Sequence, residues 1–415
     1  MSKTIAIIGG GASGMMCAIN AKRRLIKRGK NARVILIEKN TRAGKKLLST
    51  GNGKCNLTNT NEDINAYHSQ DIDAVCSVLK SFDVSSITDF FNKLSLTTTV
   101  ANATCVYPRS MQASSVLDAL RFEIQRLRIE ILCEHEIKKI TKKDDLYTIH
   151  SGASEITADA VVIASGSSAS GGSDIGLKLL KSFGHKIYST YPALCAVVCE
   201  GEITKMAKGM RAYAGISLLS DGKCIRKEMG EVLFCDYGLS GIAVMQLSGY
   251  ISEIFNESNI CCLTLSVDLA SEYDESALLC ELKNRRDNLS YLTLENLLCG
   301  FLNKRIAMAA IKYANVASLS ENISSLTDEQ LKKIAHTLKH FDLKVVGTKG
   351  AQDAQVMGGG ASLLDFNINT LESKKSSGLF ACGEVLDVYG DCGGYNLTWA
   401  WASGAVCGKN VADII

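Results

Sequence analysis

A glycine-rich turn close to the N-terminus constrains the fold of this chain more than any other sequence feature. Residues Gly9–Gly14 have the pattern G-x-G-x-x-G, follow the apolar run 4–8, and precede an amphipathic stretch that extends to about Arg28. A short apolar run bounded by glycine is typical of a buried parallel strand, and a second such run follows at 33–38. The sequence therefore predicts a strand–helix–strand unit of the dinucleotide-binding type.

The three glycines and the acid that follows them predict how a dinucleotide would bind. Gly9 permits the tight turn, Gly11 lets the backbone approach a pyrophosphate, and Gly14 lets the helix pack on the strand. The start of the helix offers unpaired N–H groups and the positive end of its dipole to the phosphates. Glu38, at the end of the second run, is placed to accept hydrogen bonds from a ribose diol and would repel a 2′-phosphate.

The segment 44–59 is too rich in glycine, lysine and asparagine for a core element, and we expect an extended loop along a phosphorylated cofactor. Its lysines would neutralise phosphate, and its backbone and amide groups would hydrogen-bond the edge of a flavin. Cys55 has no second cysteine a few residues away, which excludes the redox pair of a flavin disulfide reductase. Two roles remain for Cys55, a small packed residue or a single reactive thiol, and packing is the role we favour.

The block Gly383–Trp401 near the C-terminus is the most specific feature of the sequence. Glu384 follows an apolar strand at 378–382, where an acid can bind a ribityl hydroxyl of a flavin. A Gly-Gly turn then begins an apolar helix that reaches about Ala412, and the helix dipole would stabilise negative charge on the flavin pyrimidine. The two tryptophans of this helix are two positions apart and do not share a face, so we expect both to pack.

Composition and charge limit the class of protein. A net charge of +3 argues against a strong nucleic-acid binder, and we interpret the basic cluster at 22–33 as a solvated helix face. No apolar run has the length of a membrane span and no signal peptide precedes the first strand, so we expect a cytoplasmic protein. Sixteen cysteines without a C-x-x-C pair indicate reduced, mostly buried thiols, and six histidines show no ligand spacing, so we predict no metal.

The chain is long enough for two or three domains, and its middle differs from its ends. Buried strands at 160–164 and 378–382 each run into a glycine-containing turn, as in a doubly wound sheet. From about 191 the sequence becomes hairpin-like, with a turn at Asp221-Gly222, and from about 274 to 340 it becomes helical. The predicted domains are a discontinuous nucleotide-binding domain at 1–190 and 346–415, an inserted β domain at 191–272 with a return strand near 341–346, and a helical domain at 273–340.

These motifs, together with the blocks 106–110, 191–194, 230–234 and 238–241, resemble the BaiN/RdsA-type NAD(P)/FAD-dependent oxidoreductases over essentially the whole length. That family also includes aminoacetone-oxidase-like flavoproteins. The resemblance implies an α/β protein with a Rossmann-like, glutathione-reductase-like FAD-binding domain that carries an inserted β-barrel-like domain and a helical domain. The chain departs from the family pattern at Ser165-Gly166-Ser167, where threonine and a second glycine are frequent, and at Ile242, where proline is usual.

The motifs and the resemblance together give a set of predicted FAD contacts along the glycine turn, the loop that follows Glu38, and the ends of the predicted strands. These residues are Gly9, Gly11, Ala12, Ser13, Gly14, Glu38, Lys39, Gly44, Lys45, Gly51, Asn52, Gly53, Lys54, Asn56, Ile137, Ala164, Ser165, Gly166, Gly383, Glu384, Gly394, Tyr395, Asn396 and Leu397. Candidates for a catalytic acid or base, or for holding a substrate carboxylate, are Cys55, Tyr107 and Arg109.

The resemblance implies an FAD-dependent oxidoreductase, and four functions are open. We expect NAD(P)H-dependent reduction of a small organic substrate, such as an activated C=C bond, by hydride transfer through flavin N5. NADH or NADPH would then bind transiently, because the sequence has no second strand–G-x-G-x-x-G–helix unit. The second function is an FAD-dependent oxidase of a small amine that uses O2, which needs no nicotinamide site. The third is a flavin-dependent RNA-modifying protein, and the fourth is a redox sensor without turnover. We expect neither a nucleic-acid nor a membrane partner.

Overall fold

The computed structural model describes residues 3–152, 154–257 and 262–415, and the chain divides into two compact units. Unit 1 consists of Met1–Thr190 and Val356–Ile415, and unit 2 consists of Tyr191–Gln355. Unit 2 therefore contains the predicted β and helical parts together. The sequence predicts that the nucleotide-binding domain resumes at 346, whereas unit 1 resumes at Val356. The difference arises because the last strand of unit 2 extends beyond the predicted 341–346 and a loop follows it.

Short strands alternate with helices in unit 1, whereas unit 2 separates a strand-rich part from a helical part. The strands are β1 Thr4–Ile8, β2 Arg33–Ile37, β3 Thr58–Asn59, β4 Tyr67–His68, β5 Thr98–Ala101, β6 Cys105–Pro108, β7 Glu130–Leu132, β8 Lys139–Lys143, β9 Leu146–Ser151, β10 Ser154–Ala158, β11 Ala160–Ile163, β12 Ile187–Ala193, β13 Val197–Cys199, β14 Arg211–Ser220, β15 Lys223–Cys235, β16 Gly238–Ser240, β17 Leu263–Asp268, β18 Phe341–Thr348, β19 Val356–Ala361, β20 Leu379–Ala381 and β21 Tyr389–Gly390. The helices are α1 Ala12–Lys27, α2 Ile72–Ser81, α3 Val84–Asn92, α4 Ala113–Arg126, α5 Ile175–Ser182, α6 Ile203–Met206, α7 Ile242–Asn256, α8 Glu275–Asn288, α9 Lys304–Ala314, α10 Asp328–Lys339 and α11 Tyr395–Asp413.

The centre of unit 1 is a five-stranded parallel sheet with the strand order β20-β11-β1-β2-β7. Ile5 pairs with Ala160 on one side and with Val34 on the other, which places β1 in the middle. Strands β1 and β11 are buried along their whole length, as is typical of a parallel sheet covered on both faces. The predicted α/β fold with a Rossmann-like domain is confirmed.

Helices α1 and α11 approach each other so closely that their backbones are in contact. A Cβ atom added at Gly404 would lie 2.5 Å from the carbonyl oxygen of Ser13, and one added at Gly408 would lie 2.3 Å from the carbonyl oxygen of Cys17. Only glycine fits at such a distance, because real Cβ atoms essentially never come within 3.0 Å of another heavy atom. The apolar sequence of α11 therefore reflects a helix that is buried against α1 along much of its length.

The two tryptophans of α11 are both fully or almost fully buried, which confirms the prediction that they pack. Each also makes one hydrogen bond to a neighbouring segment. The indole N–H of Trp399 donates to the carbonyl oxygen of Gly383 at 3.1 Å, and that of Trp401 donates to the carbonyl oxygen of Leu57 at 3.0 Å. Because their partners lie on different segments, one helix anchors two loops that the sequence assigns to the cofactor site.

Unit 2 contains a closed barrel of strands in the order β13-β16-β15-β14-β17-β18. The hairpin of β14 and β15 turns at Asp221 and Gly222, whose φ angles of 47° and 79° match the left-handed pair that a two-residue hairpin turn requires. Helices α8, α9 and α10 share one apolar core with the barrel. This shared core is the reason that the predicted β and helical domains form a single unit.

Three arginines of the basic cluster on α1 form ion pairs with acids. Arg23 pairs with Glu123 at 2.8 Å, and Arg24 and Arg28 pair with Asp413 at 2.7 and 2.9 Å. These arginines are partly or fully exposed, so the ion pairs lie on the solvated helix face that the sequence predicts.

The described cysteines are all free, as expected for reduced thiols. Six of these fifteen cysteines are buried, five are partly buried and four are exposed, so the prediction that most are buried was wrong. Cys261 lies outside the described residues. Within the part of the chain that the structure describes, no helix is long and apolar enough to cross a membrane.

We expect the substitution Gly408→Ala to destabilise the protein by about 1–3 kcal/mol, because the added methyl group would push α11 away from α1. The measurement is the midpoint of urea or thermal unfolding. The matched control is Gly350→Ala, where an added Cβ would meet nothing within 4 Å and the φ angle is not in the left-handed region. Equal midpoints for the two variants would show that the helix contact does not limit stability.

Candidate cofactor site

The carboxyl ends of the parallel strands bring the predicted cofactor segments to one edge of the sheet. Gly9 follows β1, Glu38 follows β2, Ala164 follows β11, and Gly383 lies two residues after β20. In open α/β sheets, ligands bind outside this edge. The sequence motifs and the sheet topology therefore point to the same place in unit 1.

The glycine turn has the geometry that its three roles require. A Cβ atom at Gly9 would lie 2.2 Å from the carbonyl oxygen of Ala164, and one at Gly14 would lie 1.9 Å from the carbonyl oxygen of Gly9. A Cβ atom at Gly11, by contrast, would meet nothing within 4 Å. The turn is thus tightly packed on the protein side and open at Gly11, which is where a pyrophosphate would approach.

Gly11 is also the N-cap residue of α1, and no side chain caps this helix. The first turn of α1 contains no acidic residue. The N–H groups at the start of the helix and the positive end of its dipole are therefore available to an anion. The open space at Gly11 and the uncapped helix fit the phosphates of a dinucleotide.

Glu38 is buried and held in place by three hydrogen bonds. Its Oε2 accepts from the Gly10 N–H at 2.9 Å, and its Oε1 accepts from the Asn40 backbone N–H at 2.8 Å and from the Asn40 side-chain amide at 2.6 Å. A carboxylate has about four acceptor positions, so one position remains for a ligand hydroxyl. The carboxylate is fixed beside the glycine turn, as the prediction of a ribose contact requires.

The loop after Glu38 ends in a run of left-handed residues. Gly51, Asn52 and Gly53 have φ angles of 55°, 53° and 81°, and all three are exposed. The chain then becomes buried at Cys55, whose N–H donates to the carbonyl oxygen of Thr50 at 3.0 Å. The run of left-handed residues prevents a regular helix or strand, so this loop presents backbone groups, as the sequence predicted.

Asn56 is buried, and its Oδ1 is one of three buried side-chain atoms in the described residues that have no hydrogen-bond partner. It lies beside the start of α11, since a Cβ atom added at Gly394 would be 2.9 Å from this oxygen. An unsatisfied buried acceptor costs about 1–3 kcal/mol. A ligand donor would remove that cost, so Asn56 fits the predicted flavin contact.

Helix α11 begins at Gly394 with no side-chain cap and no acid in its first turn. Its N-terminus can therefore stabilise negative charge, as predicted for the flavin pyrimidine. The side chain of Asn396 also makes hydrogen bonds within the protein, and its contact with FAD stays a prediction. It accepts from the Gly390 N–H and donates to the Gly390 carbonyl oxygen, both at 2.7 Å.

Glu384 is the second acid at the edge of the sheet, and it also accepts three hydrogen bonds. Its Oε1 accepts from the Ser167 hydroxyl at 2.7 Å and from the Met357 N–H at 3.1 Å, and its Oε2 accepts from the Lys46 ammonium at 3.0 Å. One acceptor position is left, as at Glu38. Lys46, Ser167 and Met357 were missed by the sequence reasoning, because residues far apart in the chain have no common sequence signal.

The segment Ala164–Gly166 packs on the glycine turn through its backbone. The Ser165 hydroxyl is directed at Gly176 of α5, since a Cβ atom added there would lie 2.1 Å from it. This hydroxyl is another of the unpaired buried atoms. The contact of Ser165 with FAD stays a prediction.

The other predicted contacts differ in exposure. Ile137 is buried in the core of unit 1, in the loop whose His135 N–H donates to the Glu38 carbonyl oxygen at 3.0 Å. Lys39, Lys45 and Lys54 are exposed, and within the described ranges none has an ion-pair partner. Gly44 and Tyr395 are buried, and Leu397 is partly buried. Their contacts with FAD stay predictions.

The three catalytic candidates lie in different environments. Cys55 is fully buried, and this burial raises its pKa to about 11. Tyr107 is partly buried on β6, where burial, with smaller contributions from the charges of Cys105 and Cys55, raises its pKa above the ordinary value. Arg109 is exposed, and its guanidinium group has no partner among the described residues.

Both Cys55 and Tyr107 are therefore protonated near neutral pH, since each pKa lies well above 7. Tyr107 can reach a ligand, because it is partly exposed and its ring lies 3.8 Å from the Cβ position of Gly51. Cys55 is enclosed by protein, which favours the packing role. Arg109 is free to bind an anion.

Three thiols far apart in sequence also come together in unit 1. The sulfur atoms of Cys17, Cys382 and Cys407 lie within 4.8 Å of one another. The prediction of no metal rested on spacing along the sequence and did not consider this group.

Comparison with known proteins gives results that agree with this geometry. The model of the family described as "HI0933-like protein Rossmann domain" matches residues 3–410. The chain is 33% identical to a 3-dehydro-bile acid delta(4,6)-reductase of Clostridium scindens, over 99% of both chains. It is 28% identical to a ribosomal RNA dihydrouridine synthase of Escherichia coli, over 98% of this chain and 97% of that protein.

Among solved structures, a 3-ketosteroid delta1-dehydrogenase of Sterolibacterium denitrificans matches over the full length of both chains with 9% identity and a TM-score of 0.49.

We expect Gly11→Asp to separate folding from cofactor binding. An N-cap aspartate stabilises a helix, and the side chain would enter open space, so the stability of the apoprotein should stay the same or rise. The carboxylate would occupy the phosphate position, and FAD affinity should fall about 10- to 100-fold, the equivalent of one charge-assisted hydrogen bond or more. Titration of apoprotein with FAD, followed by flavin fluorescence, measures the affinity, and thermal unfolding measures stability. Unchanged FAD affinity in this variant would mean that the phosphates bind elsewhere.

Proposed function

The chain belongs to the HI0933-like Rossmann family and is an FAD-dependent oxidoreductase, and we propose that it reduces an activated C=C bond of a small organic substrate with electrons from NADH or NADPH. The observation that carries this proposal is the end-to-end match, at 33% identity, to a relative that is named as a reductase of a bile acid.

The names of two relatives support the type of reaction. One denotes reduction of double bonds in a 3-dehydro-bile acid, and the other denotes formation of dihydrouridine, which is uridine with two added hydrogens. The substrates differ in size and polarity, whereas addition of hydrogen to a C=C bond is common to both names. We therefore infer the reaction type from both relatives and the substrate class from the more similar one.

The residues of unit 1 provide the requirements for holding FAD. The N-termini of α1 and α11 offer uncapped N–H groups, and Glu38 and Glu384 each keep one acceptor position beside them. When bound, FAD supplies hydride transfer through N5 of its flavin. The proposed task of the chain is to orient the flavin and to stabilise the negative charge that it gains.

Transient binding of the nicotinamide is part of the proposal. The sequence has one strand–G-x-G-x-x-G–helix unit, and that unit belongs to the FAD site. Glu38 disfavours a 2′-phosphate at this unit. NADPH could still bind at another place on the protein. The choice between NADH and NADPH is therefore left to the experiment.

Reduction of a C=C bond also requires a proton, and we propose Tyr107 as its source. The raised pKa keeps the phenol protonated, and the side chain is partly exposed. Cys55 has its proton as well, but it is fully buried. Arg109, which follows Tyr107 closely in the chain, is suited to bind a carboxylate of the substrate.

RNA is the second candidate substrate, because two relatives are ribosomal RNA dihydrouridine synthases. RNA binding depends on a surface of free basic residues. The arginines at the start of the chain pair instead with Glu123, Glu130 and Asp413. These ion pairs reduce the free positive charge of this part of the chain, and together with a net charge of only +3 they favour the small organic substrate.

The direct test is anaerobic addition of NADH or NADPH to the purified flavoprotein, followed by a panel of electron acceptors. We expect one nicotinamide to bleach the flavin absorbance within seconds, and a conjugated 3-keto bile acid to restore it. Unmodified ribosomal RNA and dioxygen are the comparison acceptors. If neither nicotinamide bleaches the flavin but a small amine does, the protein is an oxidase and the proposed reductase function is wrong. If RNA is the only acceptor that reoxidises the flavin, the RNA-modifying function is favoured.

We expect Tyr107→Phe to lower the rate of substrate reduction by about 100- to 10,000-fold, the usual contribution of a general acid, and to leave FAD affinity and flavin bleaching unchanged. Because the acid form is required, activity of the native protein should be lost only as the pH rises through the raised pKa of Tyr107. Cys55→Ala is the matched control and should retain most of the activity. An active Tyr107→Phe variant would contradict the assignment of the proton donor.

A further inference from the structure

The cluster of three thiols in unit 1 plays no part in the proposed reaction. Cys17 lies on α1, Cys407 lies on α11, and Cys382 connects β20 to Gly383. Their sulfur atoms are mutually within 4.8 Å, and each of the three side chains is completely buried. Three sulfur ligands from three separate elements therefore converge at one point.

The backbone fixes this arrangement. The carbonyl oxygen of Cys17 lies so close to Gly408 that only glycine fits there. Cys17 and Cys407, which precedes Gly408, are therefore held at the contact between the two helices. The Gly383 N–H donates to the Ser403 hydroxyl at 3.0 Å, and that hydroxyl donates to the Trp399 carbonyl oxygen at 2.6 Å. These bonds tie the segment that carries Cys382 to α11, and the sulfur atoms have little freedom to separate.

The composition of the ligand set selects the kind of cation. The group consists of sulfur alone, and no histidine or carboxylate of the described residues belongs to it. Hard cations such as Mg²⁺ and Ca²⁺ require oxygen ligands, and a structural Zn²⁺ site requires four ligands. Thiolates suit Cu(I), zinc and iron–sulfur clusters. An iron–sulfur cluster requires four protein ligands, as structural zinc does, so three sulfur atoms favour Cu(I). A metal–sulfur distance of about 2.3 Å in a trigonal site places the sulfur atoms about 4.0 Å apart, within the observed limit.

We propose that Cys17, Cys382 and Cys407 form a buried trigonal site for a soft monovalent cation, with Cu(I) as the ion of choice. Each thiol that binds as thiolate releases one proton, and the copper stays in the +1 state throughout. The bound ion would join α1, α11 and the Gly383 turn. It would thereby stabilise the domain that holds FAD, independently of the substrate and of the electron donor.

The test uses the full chain with its exposed cysteines Cys224, Cys262, Cys280 and Cys299 replaced by serine, so that surface thiols do not compete. Cu(I) is supplied as its complex with a chromogenic chelator under anaerobic conditions, and transfer to the protein is followed by the loss of chelator colour. We expect one tightly bound Cu(I) per chain and a higher unfolding temperature for the loaded protein.

Cys382→Ser, Cys17→Ala and Cys407→Ala are the test variants, and Cys76→Ser, a partly buried cysteine on α2, is the control. Loss of one ligand should weaken Cu(I) binding about tenfold or more and should remove the gain in unfolding temperature, whereas the control should retain both. The two alanine variants guard against misfolding of the serine variant. Equal Cu(I) affinity in the control and in all test variants, or no bound Cu(I) in the parent chain, would overturn the proposal.

Discussion

The backbone contact between α1 and α11 is the constraint on which the rest of the cofactor site depends. Gly404 and Gly408 bring α11 against the carbonyl oxygens of Ser13 and Cys17, so that the first helix and the last are held as one body. Trp399 then binds the backbone at Gly383. Segments separated by more than three hundred residues thus meet at one edge of the sheet, and no single segment forms the site.

Two acids at this edge of the sheet make the same number of hydrogen bonds to the protein. Glu38 and Glu384 each accept three hydrogen bonds from the protein and keep one acceptor position. A carboxylate with three fixed donors cannot reorient, so its remaining position points in a defined direction. The exposed cations on the loop between Glu38 and Asn56 lack ion-pair partners within the described residues, with the exception of Lys46, whereas the arginines of α1 form ion pairs. Positive charge is therefore left unpaired where a phosphorylated cofactor is expected.

Much of the fold could be predicted, because its signals are local. The apolar runs at 4–8 and 160–164, the glycine turn and the Asp221-Gly222 hairpin each depend on neighbouring residues, and the structure has an element at each of them. The division of the middle of the chain into a β domain and a helical domain stays a prediction; the structure places both parts in one compact unit whose shared core has no local sequence signature.

In the candidate site, too, local features could be predicted from the sequence and contacts between distant segments could not. Glu38 and Glu384 were identified because each follows a predicted strand. Lys46 and Ser167 were missed, since their relation to Glu384 exists only once distant segments fold together. The neighbouring lysines Lys45 and Lys46 are indistinguishable by sequence pattern, and only the structure shows which of them reaches the acid. The hydrogen bonds between the Asn396 amide and Gly390 also have no sequence signal, and the contact of Asn396 with FAD stays a prediction.

The central claim is that this edge of the sheet holds one molecule of FAD without a covalent bond. The most direct measurement is to denature the purified protein, separate the released small molecules by chromatography, and quantify flavin per chain. We predict one FAD per chain, released completely into the soluble fraction. Flavin that stays attached to the denatured chain, release of FMN in place of FAD, or a colourless protein that cannot be reconstituted with FAD would contradict it.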